Sequence, residues 1–458
     1  MIDSIKKLFA VQDLKEKILF TLLMLVVCRI GAFIPVPGIN SEEALKIFQY
    51  ATGGGQNLLQ LVSIFTGGAF SQMAVIAMGV GPYITSSIIM QLLLPLIPSI
   101  QREMKENGEL ARRKMGKRTR FLTLAIAMFQ SAVYAKIVYS MNISHPGIIV
   151  EPLLNVQAFG FPWLFYFLMM VTMTTGTLFL MWIGEQISAK GIGNGVSLVI
   201  TVGILSSLPA TIGTMVRQLN LDSQEPGQLS LTSLAALITV FVLIVVGTIL
   251  VVQGQRKIPL QYARRTIGTK EVQSAGNAYI PLKLNYAGVI PVIFASTFLT
   301  FLATITQFVG QGSWFGSTAS KLMPGTWGYT ITYVLLIIFS TYFWTATQFQ
   351  PEKIASDMKK NGAFIAGVKQ GRPTQEFLET TMNRITFAGA LFLAVIAVLP
   401  TLMGKVLGID STISHFFGGT SLLILVGVVL DTTKQIESHL IMKRYDGFMK
   451  KGRISGRI

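Results

Sequence analysis

Residues 47–101 read IFQYATGGGQNLLQLVSIFTGGAFSQMAVIAMGVGPYITSSIIMQLLLPLIPSIQ, a run of 55 without one Asp, Glu, Lys or Arg. A bilayer core of ~30 Å is crossed by ~20 apolar helical residues, so this run is long enough for more than one crossing. Its charged neighbours, Lys46 and Arg102, fall on opposite sides of the membrane by the charge pattern given below, so it crosses an odd number of times. Three crossings would need short turns, and the polar stretch Thr52 to Gln60 leaves too little apolar chain for them. One crossing leaves an extra apolar piece, residues 61–73, with Thr66-Gly67-Gly68 inside it. That piece cannot lie unpaired in lipid, where its backbone groups would lose their hydrogen bonds. A half-helix folded back into a protein-lined cavity accounts for it. An interfacial helix on the outer surface is the alternative.

Outward from this run, the whole chain has the same solvent preference. Of 458 residues 51% are hydrophobic and only 13% charged, about half the charge of a soluble chain. Ten runs meet or approach the spanning length, near 18–38, 72–98, 121–141, 159–184, 196–216, 230–252, 286–309, 328–349, 385–404 and 418–433. The net charge is nevertheless +17. The segments 1–17, 99–120, 185–195, 253–285, 350–384 and 434–458 hold 32 of the 38 Lys and Arg residues. The opposite loops hold Lys46, Arg217, Lys321 and Lys405, and only Arg29 and Lys136 fall within spans. By the positive-inside rule the basic side is cytoplasmic, with both termini inside. No cleavable signal is evident at the start. A nucleic-acid binder fits badly with so apolar a chain. The single cysteine, Cys28, excludes a disulfide framework and a Cys-rich metal site.

The halves invert. The loop after the second span carries eight basic residues and the loop after the seventh carries one. Five spans followed by five in opposite orientation form an inverted repeat. In corresponding places stand Gly79-Val80-Gly81-Pro82 and Gly288-Val289-Ile290-Pro291, each expected to break its span in the middle, because proline costs a helix one hydrogen bond and kinks it. Paired interruptions of this kind point to the working site of a transport protein. No carboxylate lies at the midplane, where an ion-coupled transporter usually holds one. Amides appear instead, Gln91, Gln130 and Asn285, each singly an ordinary interhelical hydrogen-bonding group.

Signals of catalysis are absent: there is no GxxxxGK[ST] loop and no HExxH, and His145, His415 and His439 are dispersed. Gly191-Ile192-Gly193-Asn194-Gly195 reads as a tight cytoplasmic turn before the fifth span. The loops 253–285 and 350–384 are far longer than the ~2–8 residues usual between bundle helices. Their mixture of basic and apolar residues suggests docking of acidic protein or RNA phosphate, though satisfying the positive-inside rule would also explain the charge.

Several strings resemble the SecY family along nearly the whole chain. They are Arg29-Ile30-Gly31-Ala32-Phe33-Ile34-Pro35-Val36-Pro37-Gly38; Gly184-Glu185-Gln186-Ile187 with the Gly191–Gly195 turn; Pro281-Leu282-Lys283-Leu284-Asn285 with Ala287-Gly288-Val289-Ile290-Pro291; and Gly418-Gly419-Thr420-Ser421-Leu422-Leu423. The resemblance implies an all-α, ten-span clamshell in the cell inner membrane. Its parts would be a tail (1–17), a first half (18–216) with a re-entrant plug helix at 61–73, an external hinge (217–229), a second half (230–433) and a C-terminal tail (434–458). It implies a pore ring of Val80, Ile84, Val196, Ile200, Ile293 and Ile424, and a plug with Phe65, Thr66, Gly67, Gly68, Ala69 and Phe70. Spans two and seven would form a lateral gate, with Gln91, Gln130 and Asn285 as a polar cluster across it.

Docking of the motor ATPase SecA or of the ribosome, rRNA phosphates included, would fall to Arg256, Lys257, Arg264, Arg265, Lys369 and Arg372. Here the chain departs from the family's usual Gly-Ile-Arg-Pro-Gly, having Gly367-Val368-Lys369-Gln370-Gly371. Further implied partners are SecE, SecG, signal peptides, nascent polypeptides and membrane lipid. No cofactor and no enzymatic activity are implied. The implied function is a protein-conducting channel; a secondary small-molecule transporter with a 5+5 inverted repeat is the alternative.

Overall fold

The computed structural model describes residues 11–52, 63, 66–106, 108–156, 162–219, 230–262, 266–267, 270–271, 278–309, 326–407, 411–417 and 419–451. Phe65, Arg264, Arg265, Gly418 and most of the expected hinge at 217–229 lie outside the described residues. Each of the ten expected spans falls on a helix. The first half has α1 (Gln12–Gly31), α2 (Ser41–Thr52), α3 (Gly81–Leu96), α4 (Pro98–Glu106), α5 (Gly108–Ser144), α6 (Glu151–Asn155), α7 (Trp163–Lys190) and α8 (Gly195–Gln218). The second has α9 (Leu231–Gln253), α10 (Ile290–Val309), α11 (Trp327–Gln348), α12 (Pro351–Lys360), α13 (Arg372–Leu407), α14 (Ser411–Phe417) and α15 (Thr420–Lys451). The ten expected spans correspond to α1, α3, α5, α7, α8, α9, α10, α11, α13 and α15. A helix satisfies its own backbone, as lipid demands.

Among the described residues six helices cross on length and composition alone, or seven if α3 and α4, bent by 89°, count as one. The others fall short for local reasons. Helix α1 opens with Asp13, Lys15, Glu16 and Lys17, and α15 passes from an apolar start into Asp431 and Lys434. Helices α5, α13 and α15 run well beyond the apolar runs that announced them. Residues 108–120 are mostly strong helix formers, and nothing breaks the helix where the side chains leave lipid.

Two expectations need adjustment. Within 61–73 the described residues Ser63 and Thr66 are helical, whereas residues 67–80 form successive turns, so the extra apolar piece is not helical beyond Thr66. Gly67, Gly68, Met73 and Gly79 have φ of 65°, 83°, 48° and 59°, the left-handed region that a right-handed helix cannot include. Span two is therefore helical only from Gly81. The Gly/Pro motifs do not break helices in the middle; they start them. Gly79 (φ 59°) and Gly288 (φ 61°) turn the chain, and Pro82 and Pro291 stand second in α3 and α10. Proline is favoured there because its missing N–H would have had no helical partner. The two halves thus use the same device at matching places.

Span one also ends early, at Gly31. Beyond it Val36 N donates to Met73 O at 3.0 Å and Val75 N to Ile34 O at 2.8 Å, with Pro35 bridged to Ala74. The chain after α1 is thereby tied to the turns before α3.

The long loops 253–285 and 350–384 hold strands that the sequence reading lacks: β1 (Gln255–Tyr262), β2 (Thr266–Ile267), β3 (Lys270–Glu271) and β4 (Tyr279–Lys283) in one, β5 (Ala363–Ile365) in the other. Strands β4, β1 and β5 make one antiparallel sheet in that order, so the two loops are a single body. Residues 255–259 of β1 pair with β4 and 260–262 with β5. Each part of β1 thus has one partner, which lets it accept Pro259, a residue with no ladder donor. Ile258, Leu282 and Ile365 bury against Met358, Leu378 and Met382 beneath the sheet.

Candidate functional site

Four places in the chain converge at the middle of the bundle. Val80 and Ile84 come from the start of α3, Val196 and Ile200 from α8, Ile293 from α10 and Ile424 from α15. All six belong to one apolar cluster; Val80, Ile200 and Ile424 are buried, and Ile84, Val196 and Ile293 pack against them. Both halves contribute. Glycines set the α8 contribution: a Cβ on Gly195 would lie 2.0 Å from the Gly184 carbonyl oxygen, so α7 and α8 meet backbone to backbone just beside Val196. The turn between them is held by Ile192 N donating to Thr21 Oγ1 (3.1 Å) and Gly193 N donating to Gln435 Oε1 (3.0 Å). This joins α1, α8 and α15 at one corner. An aliphatic collar excludes ordered water and so opposes ions.

The turns at 66–80 lie against this collar. Ala69 and Phe70 are buried, and Phe70 meets Tyr134 edge-on at 5.1 Å and Phe48 at 5.9 Å. The Gly67 carbonyl accepts from Arg29 Nη1 of α1 (3.4 Å) and Ser206 Oγ of α8 (3.3 Å). A cavity of about 100 Å³ opens between Thr66, the collar, Gln130 and the hydroxyl-bearing face of α10 made by Ser296, Thr297 and Thr300. The sequence reading passed over those hydroxyls. Their only signal is the spacing Ser296-Thr297-x-x-Thr300, which sets them on one side of a helix.

Helices α3 and α10 pack against each other. Their seam is apolar: Ile88 meets Phe294, Ala287 and Trp344, flanked by Ile84 and Leu92. The expected polar cluster across it does not form, which corrects the sequence reading. Gln91 is exposed and donates Nε2 to Ser87 Oγ of its own helix at 3.2 Å. Gln130 is buried and lines the cavity. Asn285 precedes α10 and donates Nδ2 to Gly288 O at 2.8 Å, closing the Gly288 turn; its buried Oδ1 has no partner among the described residues. The three amides serve separate local needs.

On the body built around the β4-β1-β5 sheet, Arg256 and Lys257 are exposed on β1, with Lys257 Nζ 4.8 Å from the Tyr279 ring centre. Lys369 is exposed between Gly367 (φ 81°) and Gly371 (φ 93°). Its loop is closed by Gln370 Nε2 donating to Ala363 O (3.2 Å) and Thr374 Oγ1 donating to Lys369 O (2.8 Å). Arg372, an exposed neighbour, pairs with Glu376 at 3.3 Å. Lys114 Nζ lies 2.5 Å from Glu103, and this bond holds the Glu103 carboxyl below its ordinary pKa.

The SecY family profile matches residues 74–433. The chain is 54% identical to the protein translocase subunit SecY of Chlamydia trachomatis serovar D, over 99% of both chains. It is 41% identical to the protein translocase subunit SecY of Thermotoga maritima, over 100% of both. Among solved structures, one described as "The structure of a protein conducting channel" superposes with a TM-score of 0.63 at 18% identity, over 96% of this chain and 94% of that one. "Sec61 in the Canine ribosome-channel complex from the endoplasmic reticulum" superposes with a TM-score of 0.59 at 16% identity, over 97% and 95%. With its profile matched over most of its length and full-length relatives well above the threshold of common descent, the chain belongs to the SecY family.

Proposed function

We propose that this chain is the central protein-conducting channel subunit of a Sec translocon. It passes unfolded secretory polypeptides across the inner membrane, with both termini cytoplasmic, and releases transmembrane segments sideways. Residues 18–216 and 230–433 are the halves of the clamshell and 217–229 the hinge. Val80, Ile84, Val196, Ile200, Ile293 and Ile424 are the pore ring. The segment with Phe65 to Phe70 is the plug, and the α3–α10 seam is the lateral gate. The observation that carries this reading is the single aliphatic collar assembled from both halves and backed by the 66–80 turns. A soft collar can stretch around a passing chain and still deny water a continuous path.

The driving force comes from partners, since no phosphate cradle or catalytic pair was found in the sequence. SecA or the ribosome would dock on the cytoplasmic body through Arg256, Lys257, Lys369 and Arg372, joined by Arg264 and Arg265 on the sequence pattern alone. The relatives' shared name, translocase subunit, and a structural neighbour described within a ribosome–channel complex support this reading. SecE and SecG would complete the complex. The test is reconstitution: proteoliposomes holding this chain with SecE and SecG should import a precursor when given SecA and ATP. Solute counterflow without import would instead support the small-molecule transporter.

A further inference from the structure

Arg29 is one of two basic residues within the expected spans, and a charge there is costly unless it is held. Its guanidinium faces inward, to the Gly67 carbonyl at 3.4 Å, with the Phe33 ring centre 5.5 Å away. From the facing side Ser206 Oγ reaches the same carbonyl at 3.3 Å. Two helices, α1 and α8, therefore grip one backbone oxygen. The fit is tight: a Cβ on Gly67 would lie 2.2 Å from Ser206 Oγ and 2.7 Å from both Arg29 Nη1 and the Gly203 carbonyl oxygen. A small cavity of about 30 Å³ runs from Arg29 past Thr66 and Gly79 to Val80 and Ile200 of the collar. The gripped carbonyl thus belongs to the element read as closing the pore, and the grip lies beside the collar.

We infer that Arg29 and Ser206 are positioning residues that latch the 66–80 segment in its closed place, with the Gly67 carbonyl as the catch. The inference rests on the reading of that segment as the pore's closure. Opening requires both bonds to break. The two partners are unequal. Arg29 brings a charged donor, and hydrogen bonds to charged groups are the stronger kind. Ser206 has one proton, shared between Gly67 O and its own helix's Gly203 O at 2.8 Å. When the catch is released, the guanidinium borders the collar across the small cavity. A ligand or signal that opens the channel works against the closed state's stability, so weakening the latch raises the open fraction without adding any new contact.

The experiment is resting ion conductance of the complete reconstituted translocase in a planar bilayer, with no precursor present. Arg29→Met, which keeps bulk and removes the donor, should raise the open probability about tenfold. Ser206→Ala should raise it about threefold, because the shared proton is worth less than a full bond. Arg29→Lys keeps a cationic donor and should return conductance to within about twofold of the parent. Phe33→Leu removes only the ring under the guanidinium and should leave conductance unchanged. Parent-level conductance in both Arg29→Met and Ser206→Ala would overturn the latch. So would a Phe33→Leu leak equal to that of Arg29→Met. Should Arg29→Met fail to assemble, Ser206→Ala with Arg29→Lys carries the test. Ile200→Gly, in the collar, is the control on the underlying reading. If it leaks while the latch variants do not, the latch alone is wrong. If it too is silent and the parent imports no precursor, the channel reading fails.

Discussion

Gly195→Ala tests whether backbone contact between α7 and α8 sets the collar. The new Cβ would sit 2.0 Å from the Gly184 carbonyl oxygen and 2.8 Å from both Gly184 C and Ile187 Cβ. Ordinary contact begins at 3.4 Å, so something must give by about 1.4 Å. The obstacle is backbone, which no rotamer change relieves. Overpacking of this kind typically costs ~1–3 kcal/mol. The strain falls next to Val196 and one helical turn from Ile200, both in the collar. The expected result is a lowered thermal midpoint in detergent together with a resting ion leak in planar bilayers. Gly213→Ala, on the same helix with none of the described residues within 4 Å of its Cβ, is the matched control. It should stabilise slightly, by ~0.5–1 kcal/mol, as alanine outranks glycine in a helix. A Gly195→Ala protein with the midpoint and conductance of the parent would refute the argument that glycine contact fixes the waist.

Other outcomes follow from the same geometry. Lys369→Glu should abolish SecA-dependent import while the protein still assembles, because it reverses the charge at a tip whose loop is held by Gln370 and Thr374; import at the parent rate would count against the docking assignment. Cysteines introduced together at Ile88 and Phe294, after Cys28→Ala, should cross-link in the resting state and block translocation, since both side chains bury in one cluster across α3 and α10. Free translocation by the cross-linked protein would remove that seam as the gate. The Glu103–Lys114 bridge should respond to acid. Its folded pKa is lowered from 4.5, so its contribution is complete above that value and is lost as pH falls through the lowered one. A Glu103→Gln variant should lose this acid limb in the pH dependence of the thermal midpoint. Lys114 is exposed and Glu103 half-buried near the surface, so high salt should shrink the effect.

What the sequence conveyed, and what it did not, follows from the range of each interaction. Spans were legible because hydropathy is local and lipid enforces it. Helix ends were less so: residues 108–120 look like a basic loop by charge and are helix by propensity. The Gly/Pro motifs were found at the right places with the wrong consequence, because a proline that ends a kink and one that begins a helix read alike until the preceding φ is known. The sheet was invisible. QRKIPLQY buries one side chain, Ile258, and contains a proline, and its β5 partner lies beyond two further spans. Nothing local announces a pairing of that separation. The six collar residues came from family resemblance, and their meeting in one cluster is tertiary. The amides were recognised by type, but a side chain's type does not name its partner, and Asn285 found the nearby Gly288 carbonyl rather than Gln91 or Gln130.

That last difference changes the energetics of the proposed gate. A seam held by amides would require their hydrogen bonds to be exchanged, each worth ~0.6–2 kcal/mol in a membrane. The seam present is Ile88, Phe294 and Trp344. Lipid tails are as apolar as these side chains, so no hydrophobic force opposes their separation, and only packing is lost. The collar differs, because parting it admits water to six aliphatic groups, each costing on the order of 1.5–3 kcal/mol if fully exposed. On this reading the channel yields easily toward lipid and reluctantly toward water. An apolar signal helix that enters the seam replaces one greasy contact with another at little net cost, and its entry moves α3 and α10, which carry Ile84 and Ile293 of the collar. The sideways opening would therefore come first and draw the waist open behind it. Ile88→Asn, which adds a polar group to the seam, should then slow the insertion of membrane segments more than it slows leak through the waist. If instead it opened the pore to ions before any signal bound, the order argued here would be reversed.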